Sequence, residues 1–165
     1  MTVRTSSPSD YGNMYMNENG ITIRTALIDD AGGISLVEKE CLSVGWSEKT
    51  VSDSIASGRY SFRVAALGSE TVGSGGIMFI PPEAEITNIA VKKEHRRRGI
   101  ATLILDSLLD EAFSLGCESA FLEVAKNNIP AVKLYEKSGF EPVYIRKKYY
   151  KDPTDDAIVM KKILK

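Results

Sequence analysis

The sequence predicts a mixed α/β (α+β) fold, and three observations lead there. Runs with period-two alternation and β-branched residues interleave with runs of helical period. Gly, Pro, Asn and Asp punctuate the joints between them. The resulting order, βααβββαβαββ, gives about seven strands and four helices, and no period of 20–50 residues recurs.

Residues 1–20 are rich in Ser, Asn, Gly and Asp and read as a flexible leader, although Met14, Tyr15 and Met16 offer apolar groups that can dock on the body. Residues 21–165 read as a single domain. Residues 21–26 (ITIRTA) alternate as a first strand. Asp29 or Asp30 caps a helix that aligns Ile34, Val37 and Cys41. Gly45-Trp46-Ser47 breaks it, and Ser47 caps a second, short helix ending near Gly58. Strands follow over 60–67 and 72–80, joined by a turn at 68–71, and Pro81-Pro82-Glu83 turns the chain into a third strand over 84–91. The main helix spans about 99–115, with Leu103, Ile104, Leu108 and Ala112 near helical spacing and Gly116 as its stop. A buried strand at 120–124 precedes a helix capped by Asn127 or Asn128, opened by Pro130 and ended by Gly139. Residues 143–150 and 157–162 close the chain as a hairpin.

Apolar residues make up 43% and charged residues 26% of the 165-residue chain, as in soluble globular proteins. The net charge of −1 excludes a molecule that binds polyanions over its whole surface, so basic function has to be local, at 92–98 (KKEHRRR) or 146–151 (RKKYYK). Two cysteines, Cys41 and Cys117, are too few for a disulfide framework and favour a reducing, cytoplasmic setting. No apolar run of about 18 residues predicts a membrane span, and the first twenty residues lack a signal-peptide core. No His/Cys/Asp spacing suggests a metal site.

The chemistry concentrates in residues 86–101, ITNIAVKKEHRRRGIA. An apolar strand runs into a short basic loop and then a long helix. A helix N-terminus presents unpaired N–H groups and partial positive charge, so this junction suits a phosphate. Gly99 admits close backbone approach, and Arg96, Arg97 and Arg98 add bidentate donors. No Gly-Lys-Ser/Thr follows, so the loop is not a Walker A motif, and one glycine does not make a dinucleotide fingerprint.

Arg96-x-x-Gly99-x-Ala101, behind a strand ending Asn88-Ile89-Ala90-Val91, resembles the GNAT superfamily of N-acetyltransferases. Gly45-Trp46-Ser47-Glu48, Leu122-Glu123-Val124 with Asn127-Asn128, and residues 131–140 (AVKLYEKSGF) make it similar to the RimI-type branch, which acetylates the N-terminal alanine of a ribosomal protein. Gly45 replaces a frequent Pro, and Ala101 a frequent Gly. The resemblance implies a mixed, mostly antiparallel central sheet flanked by four helices. It implies acetyl-CoA as cosubstrate, direct transfer in a ternary complex, a protein N-terminus as partner, and neither membrane nor direct nucleic-acid binding. It places the cofactor pyrophosphate on the amides of Arg97, Arg98, Gly99, Ile100, Ala101 and Thr102, and the pantetheine along Ile89, Ala90 and Val91. It makes Glu123 the general base and Tyr135 the general acid, with Asn128 on the cofactor arm.

Residue types alone leave alternatives open. Glu123 also reads as the outward residue of an alternating strand, Tyr135 as core, and Asn128 as a helix cap. Trp46 either plugs the core or lines the acceptor groove opposite Tyr149 and Tyr150. The acceptor can be a peptide α-amine, a small amine such as a polyamine or an antibiotic, or a protein lysine. A non-catalytic module holding CoA, or RNA through the arginines, is the reading from another class.

Overall fold

The computed structural model describes residues 3–5 and 14–165. Its strands are β1 (Val3–Thr5), β2 (Met14–Met16), β3 (Thr22–Thr25), β4 (Tyr60–Leu67), β5 (Glu70–Ile80), β6 (Glu83–Val91), β7 (Ser119–Ala125), β8 (Glu141–Lys151) and β9 (Thr154–Ile163). Its α-helices are α1 (Ala31–Cys41), α2 (Glu48–Ala56), α3 (Ile100–Ser114) and α4 (Ile129–Lys137). The strands form one sheet in the order β1-β2-β3-β4-β5-β6-β7-β9-β8. Only β6 and β7 pair in parallel; the other neighbours are antiparallel.

The seven strands and four helices read from residue 21 onward are all present. The count of about seven is corrected to nine among the described residues, because β1 and β2 fall within the stretch expected to be a flexible leader. There Tyr15 pairs with Ile23 and packs against the main core, which gives a polar stretch an apolar foothold. Residues 1, 2 and 6–13 lie outside the described residues.

Two helix layers sandwich the sheet. Ile104, Leu105, Leu108 and Ala112 of α3 bury against Ile77, Ile86 and Val91, and α4 adds Tyr135 to this main core. The other face carries a smaller cluster, in which Ile34 of α1 and Val51 of α2 meet Phe62 and Val64. Successive glycines show the alternation: a Cβ on Gly75 would meet Ile104 at 2.4 Å, whereas one on Gly76 would meet Phe62 at 2.8 Å. A buried Arg63 on β4 bonds Ser107 Oγ at 2.7 Å and Glu111 at 2.8 Å, locking α3 to the sheet.

Local chemistry sets the helix ends. Ser47 Oγ accepts the Thr50 N–H at 3.1 Å as the cap of α2. Asn128 Oδ1 accepts the Ala131 N–H at 3.4 Å, with a proline in the first turn of α4. Before α1, Arg24 clamps Asp30 through two hydrogen bonds of 2.7 and 2.8 Å.

Two predictions follow from this packing. Leu108→Ala, at a fully buried position, lowers the unfolding free energy by about 2–5 kcal/mol in urea titration. Hydrogen bonds from Arg24 are the largest reason that the Asp30 carboxyl is held below its ordinary value. A depressed folded value adds stability above the unfolded value of about 3.9, and this is lost as pH falls through the folded value. The unfolding midpoint therefore drops less steeply below about pH 4 in Asp30→Asn than in the parent chain.

Candidate active site

The parallel β6/β7 ladder is short. Glu83, Ala84 and Glu85 pair with Ser119, Ala120 and Phe121, and there the ladder ends. Both strands continue, β6 to Val91 beside β5 and β7 to Ala125 beside β9, without pairing to each other. The sheet is forked, and the facing edges of the prongs carry unpaired backbone donors and acceptors. The cause sits at Thr87. Gly76 opposes Asn88 and Ile77 opposes Ile86, so Thr87 is an extra residue, a bulge that bends and twists β6 away from β7.

At the mouth of the fork lies the basic loop. Arg96 Nε donates to the Val91 carbonyl at 2.8 Å and pins the loop to its strand. Arg97 (φ 61°) and Gly99 (φ 76°) take left-handed conformations that turn the chain into α3. The first amide of this helix with an intrahelical partner is Leu103, which donates to Gly99 O at 3.1 Å. Among the described residues, the N–H groups of residues 97–102 have no protein acceptor. They open on a groove lined by Arg98, Gly99, Thr102, Lys137 and the turn at Asn17, Glu18 and Asn19. Unpaired backbone amides with a helix dipole behind them are chemistry that suits an anion.

Glu123 stands on the other prong. Leu122 and Val124 enter the main core, so Glu123 emerges on the opposite face, at the wall of a cleft of about 220 Å3 with Ile80, Glu83, Glu85, Phe121, Tyr144 and Arg146. Its carboxylate forms an ion pair with Arg146 Nε at 2.9 Å and accepts a hydrogen bond from the Tyr149 hydroxyl. That hydrogen bond is the first reason the Tyr149 phenol holds its proton above the ordinary range. Burial, then the charge of Glu123, raises the Glu85 carboxyl. The guanidinium of Arg146 lies 5.4 Å from the Tyr144 ring centre and 5.8 Å from that of Tyr149. A distortion of β8 brings this set together. Arg146 pairs with Ala157 and Tyr150 with Asp155, so three residues of β8 oppose Asp156 alone. Asp156 holds the excursion by accepting the Lys148 N–H at 2.9 Å and the Lys147 ammonium at 3.1 Å.

Tyr135 lies on the α3 side, buried, with its ring edge-on to Phe140 at 6.0 Å. Burial, reinforced by the neighbouring Tyr150 phenol, raises its hydroxyl to about 12. Burial and then the Glu123 charge also raise the Tyr150 hydroxyl, which stands between the two. Tyr135 is therefore a core residue whose phenol is held protonated well above neutral pH. Asn128 spends Oδ1 on capping α4 and keeps its amide N–H2 as a donor. Trp46 packs against the smaller cluster on the α1 and α2 face of the sheet. Its ring packs edge-on against Tyr60 and Phe62, each at 5.8 Å, in the smaller core, and it does not line the Glu123 cleft.

Four polar residues of the site were not singled out from the sequence: Glu85, Arg146, Glu38 and Asn88. Arg146 lay within a basic run, and Glu85 within the alternation Glu83-Ala84-Glu85-Ile86. The buried Glu38 carboxylate accepts the Trp46 N–H at 2.7 Å and a hydrogen bond from Asn88 Nδ2. No group of three or more His, Cys, Asp or Glu among the described residues is placed to hold a metal ion. No described helix is long and apolar enough to cross a membrane.

A forked mixed sheet, with the unpaired amides of a helix start on one prong and a carboxylate on the other, is the frame in which the family match makes this chain an acyltransferase. Residues 33–140 match the Acetyltransferase (GNAT) family, and the chain belongs to that family. It is 32% identical over 126 residues to the [ribosomal protein bS18]-alanine N-acetyltransferase of Escherichia coli K12, covering 75% of this chain and 84% of that one. It is 30% identical over 152 residues to an N-alpha-acetyltransferase of Saccharolobus solfataricus, covering 84% and 90%. The crystal structure of the ribosomal-protein-S18-alanine N-acetyltransferase from Escherichia coli superposes with a TM-score of 0.77 at 30% identity, over 87% of this chain and 94% of that one. Arabidopsis thaliana NAA60 in complex with acetyl-CoA has the same fold, with a TM-score of 0.80 at 16% identity over 87% and 98%.

The burial of Tyr135 is open to direct measurement. In an absorbance titration the tyrosinate signal of Tyr135 has its midpoint at about 12, so Tyr135→Phe leaves the curve below about pH 10 unchanged.

Proposed function

We propose that this protein transfers the acetyl group of acetyl-CoA to the α-amine at a protein N-terminus, and that its acceptor is the N-terminal alanine of ribosomal protein bS18. The observation that carries the reading is the fork itself: an unpaired β6 edge leads from the carboxylate cleft to the unpaired amides of residues 97–102. The Escherichia coli relative, at 32% identity, supports the acceptor.

The residues fit the cosubstrate. The open edge of β6 at Ile89, Ala90 and Val91 offers hydrogen bonds to the amide groups of a pantetheine arm, as to an added strand. The amides of residues 97–102 and the guanidinium groups of Arg97 and Arg98 meet the pyrophosphate. The cosubstrate supplies an acetyl thioester. Glu123 takes the proton of the incoming amine, whose pKa of about 7.7–8.0 leaves much of it protonated at neutral pH. A carboxylate has about four acceptor positions, so two remain beside Arg146 and Tyr149. Backbone N–H groups next to the bulge at Thr87 face the fork and stabilise the oxyanion. Tyr135, kept neutral by burial, donates a proton to the departing thiolate. The turn at Asn17, Glu18 and Asn19 adds a wall to the groove beside Gly99, and residues 21–165 form the catalytic domain.

A panel of peptides differing only in their first residue tests the acceptor. Alanine-first peptides of bS18 sequence are acetylated and polyamines are not; the reverse result overturns the assignment. Glu123→Gln lowers kcat by about a hundredfold or more while calorimetry shows acetyl-CoA binding retained. Unchanged turnover in that variant removes Glu123 from its role.

A further inference from the structure

Glu38 is fully buried on α1, and among the described residues no cation pairs with it. Burying a carboxylate without a cation is costly, so its hydrogen bonds have to hold it. One oxygen accepts the Trp46 N–H at 2.7 Å. The other accepts from Asn88 Nδ2, the residue next to the bulge. The first bond reaches the loop at residues 42–47, which folds back onto the end of α1. Gly45 makes that approach possible, since a Cβ there would lie 2.9 Å from the Glu38 backbone. Ser35 Oγ holds the same loop by donating to the Trp46 carbonyl at 2.9 Å.

The second bond exists because of the bulge. In regular alternation Ile86 and Asn88 would share a face, and Asn88 would point at α3. The extra residue turns Thr87 and Asn88 together toward α1, where Thr87 Oγ1 bonds Asn88 Oδ1 at 3.0 Å. A Cβ on Gly76 would lie 2.6 Å from Thr87 Oγ1 and 2.9 Å from Asn88 Oδ1, so both side chains do lie on that face. Ile89, which follows at once, returns to the α3 face and opens the unpaired edge of β6.

We propose that Glu38 is a positioning residue for acetyl transfer: its carboxylate fastens the loop at 42–47 to the bulged segment of β6, so that loop and fork move as one body. This rests on the function proposed above and names a residue that touches neither substrate. The carboxylate is the fitting group because both of its partners are donors. Glutamine places an N–H2 against one of them, and the amide of Asn88 turns to meet it only if the Thr87 hydroxyl gives up Asn88 Oδ1 as its acceptor. Burial raises the Glu38 carboxyl, in keeping with a group held for its hydrogen bonds.

Four proteins test this: the parent chain, Glu38→Gln, Asn88→Ala, and Glu38→Gln with Asn88→Asp, which exchanges donor and acceptor across the contact. Trp46 is the only tryptophan, so acrylamide quenching of its fluorescence reports the loop without reference to activity. Glu38→Gln and Asn88→Ala are expected to raise the quenching constant and to lower kcat by about 10- to 100-fold, with the Kd for acetyl-CoA changed less than threefold. The exchanged pair is expected to recover most of both losses. Unchanged quenching and kcat in the single variants overturn the proposal, as does an exchanged pair no better than Glu38→Gln. A loss of acetyl-CoA affinity that tracks loss of thermal stability also overturns it, in favour of a purely structural role. Should Glu38→Gln not fold, Asn88→Ala decides alone by the same readouts. Should the parent chain acetylate no acceptor, the function proposed above fails, while the quenching series still decides whether Glu38 holds the loop.

Discussion

The structure depends on a place where hydrogen bonding stops. Backbone N–H and C=O groups in a folded interior are almost always paired, and a central parallel ladder is among the most regular ways to pair them. Here β6 and β7 pair over three residues each and then part. Because the bulge at Thr87 bends one prong away, a strip of unpaired backbone runs into the middle of the sheet. Such a strip suits an extended, amide-bearing ligand, and it fixes where the ends of that ligand lie. One end meets the start of α3, and the other meets the face on which Glu123 stands.

The electrostatics divide along the same line. At the mouth of the fork, positive potential comes from backbone amides and a helix dipole and so does not depend on side-chain placement. At the carboxylate cleft, potential comes from side chains at close range. Glu123, Glu85 and Glu83 are offset by Arg146, whose place is set by the excursion of β8 around Asp156. On the far side of β7, Tyr135 sits in the main core with its proton secured by burial. Glu123 and Tyr135 are thus held on opposite faces of one strand.

The fold was legible in the chain because its signals are local. Ser47, Asn128, Gly116 and Gly139 mark helix ends with side chains or backbone angles that act within a few residues. The apolar periods of α3 and of the strands needed no partner to be read. The basic turn before α3 was equally legible, because a strand, a glycine in left-handed conformation and a helix start are consecutive in sequence. The leader was read less completely. Its composition is polar, and the pairing of Tyr15 with Ile23 depends on an edge strand that composition does not reveal. The bulge left a trace that alternation alone missed: Ile86, Ile89 and Val91 all face α3, a spacing of three followed by two, where a regular strand needs two throughout.

The amino-acid sequence by itself determined the order of elements, the basic turn before α3 and the polar residue types on each strand and helix, since each follows from neighbours along the chain. Tertiary structure alone decided which of those residues meet. It sent the Trp46 ring into the smaller core, brought Arg146 and Tyr149 onto Glu123, and drew Glu38 to Asn88 across 50 positions of sequence. The physical reason is that these contacts are set by strand register and by two irregularities, in β6 and β8. Register is a property of paired strands and of no single segment.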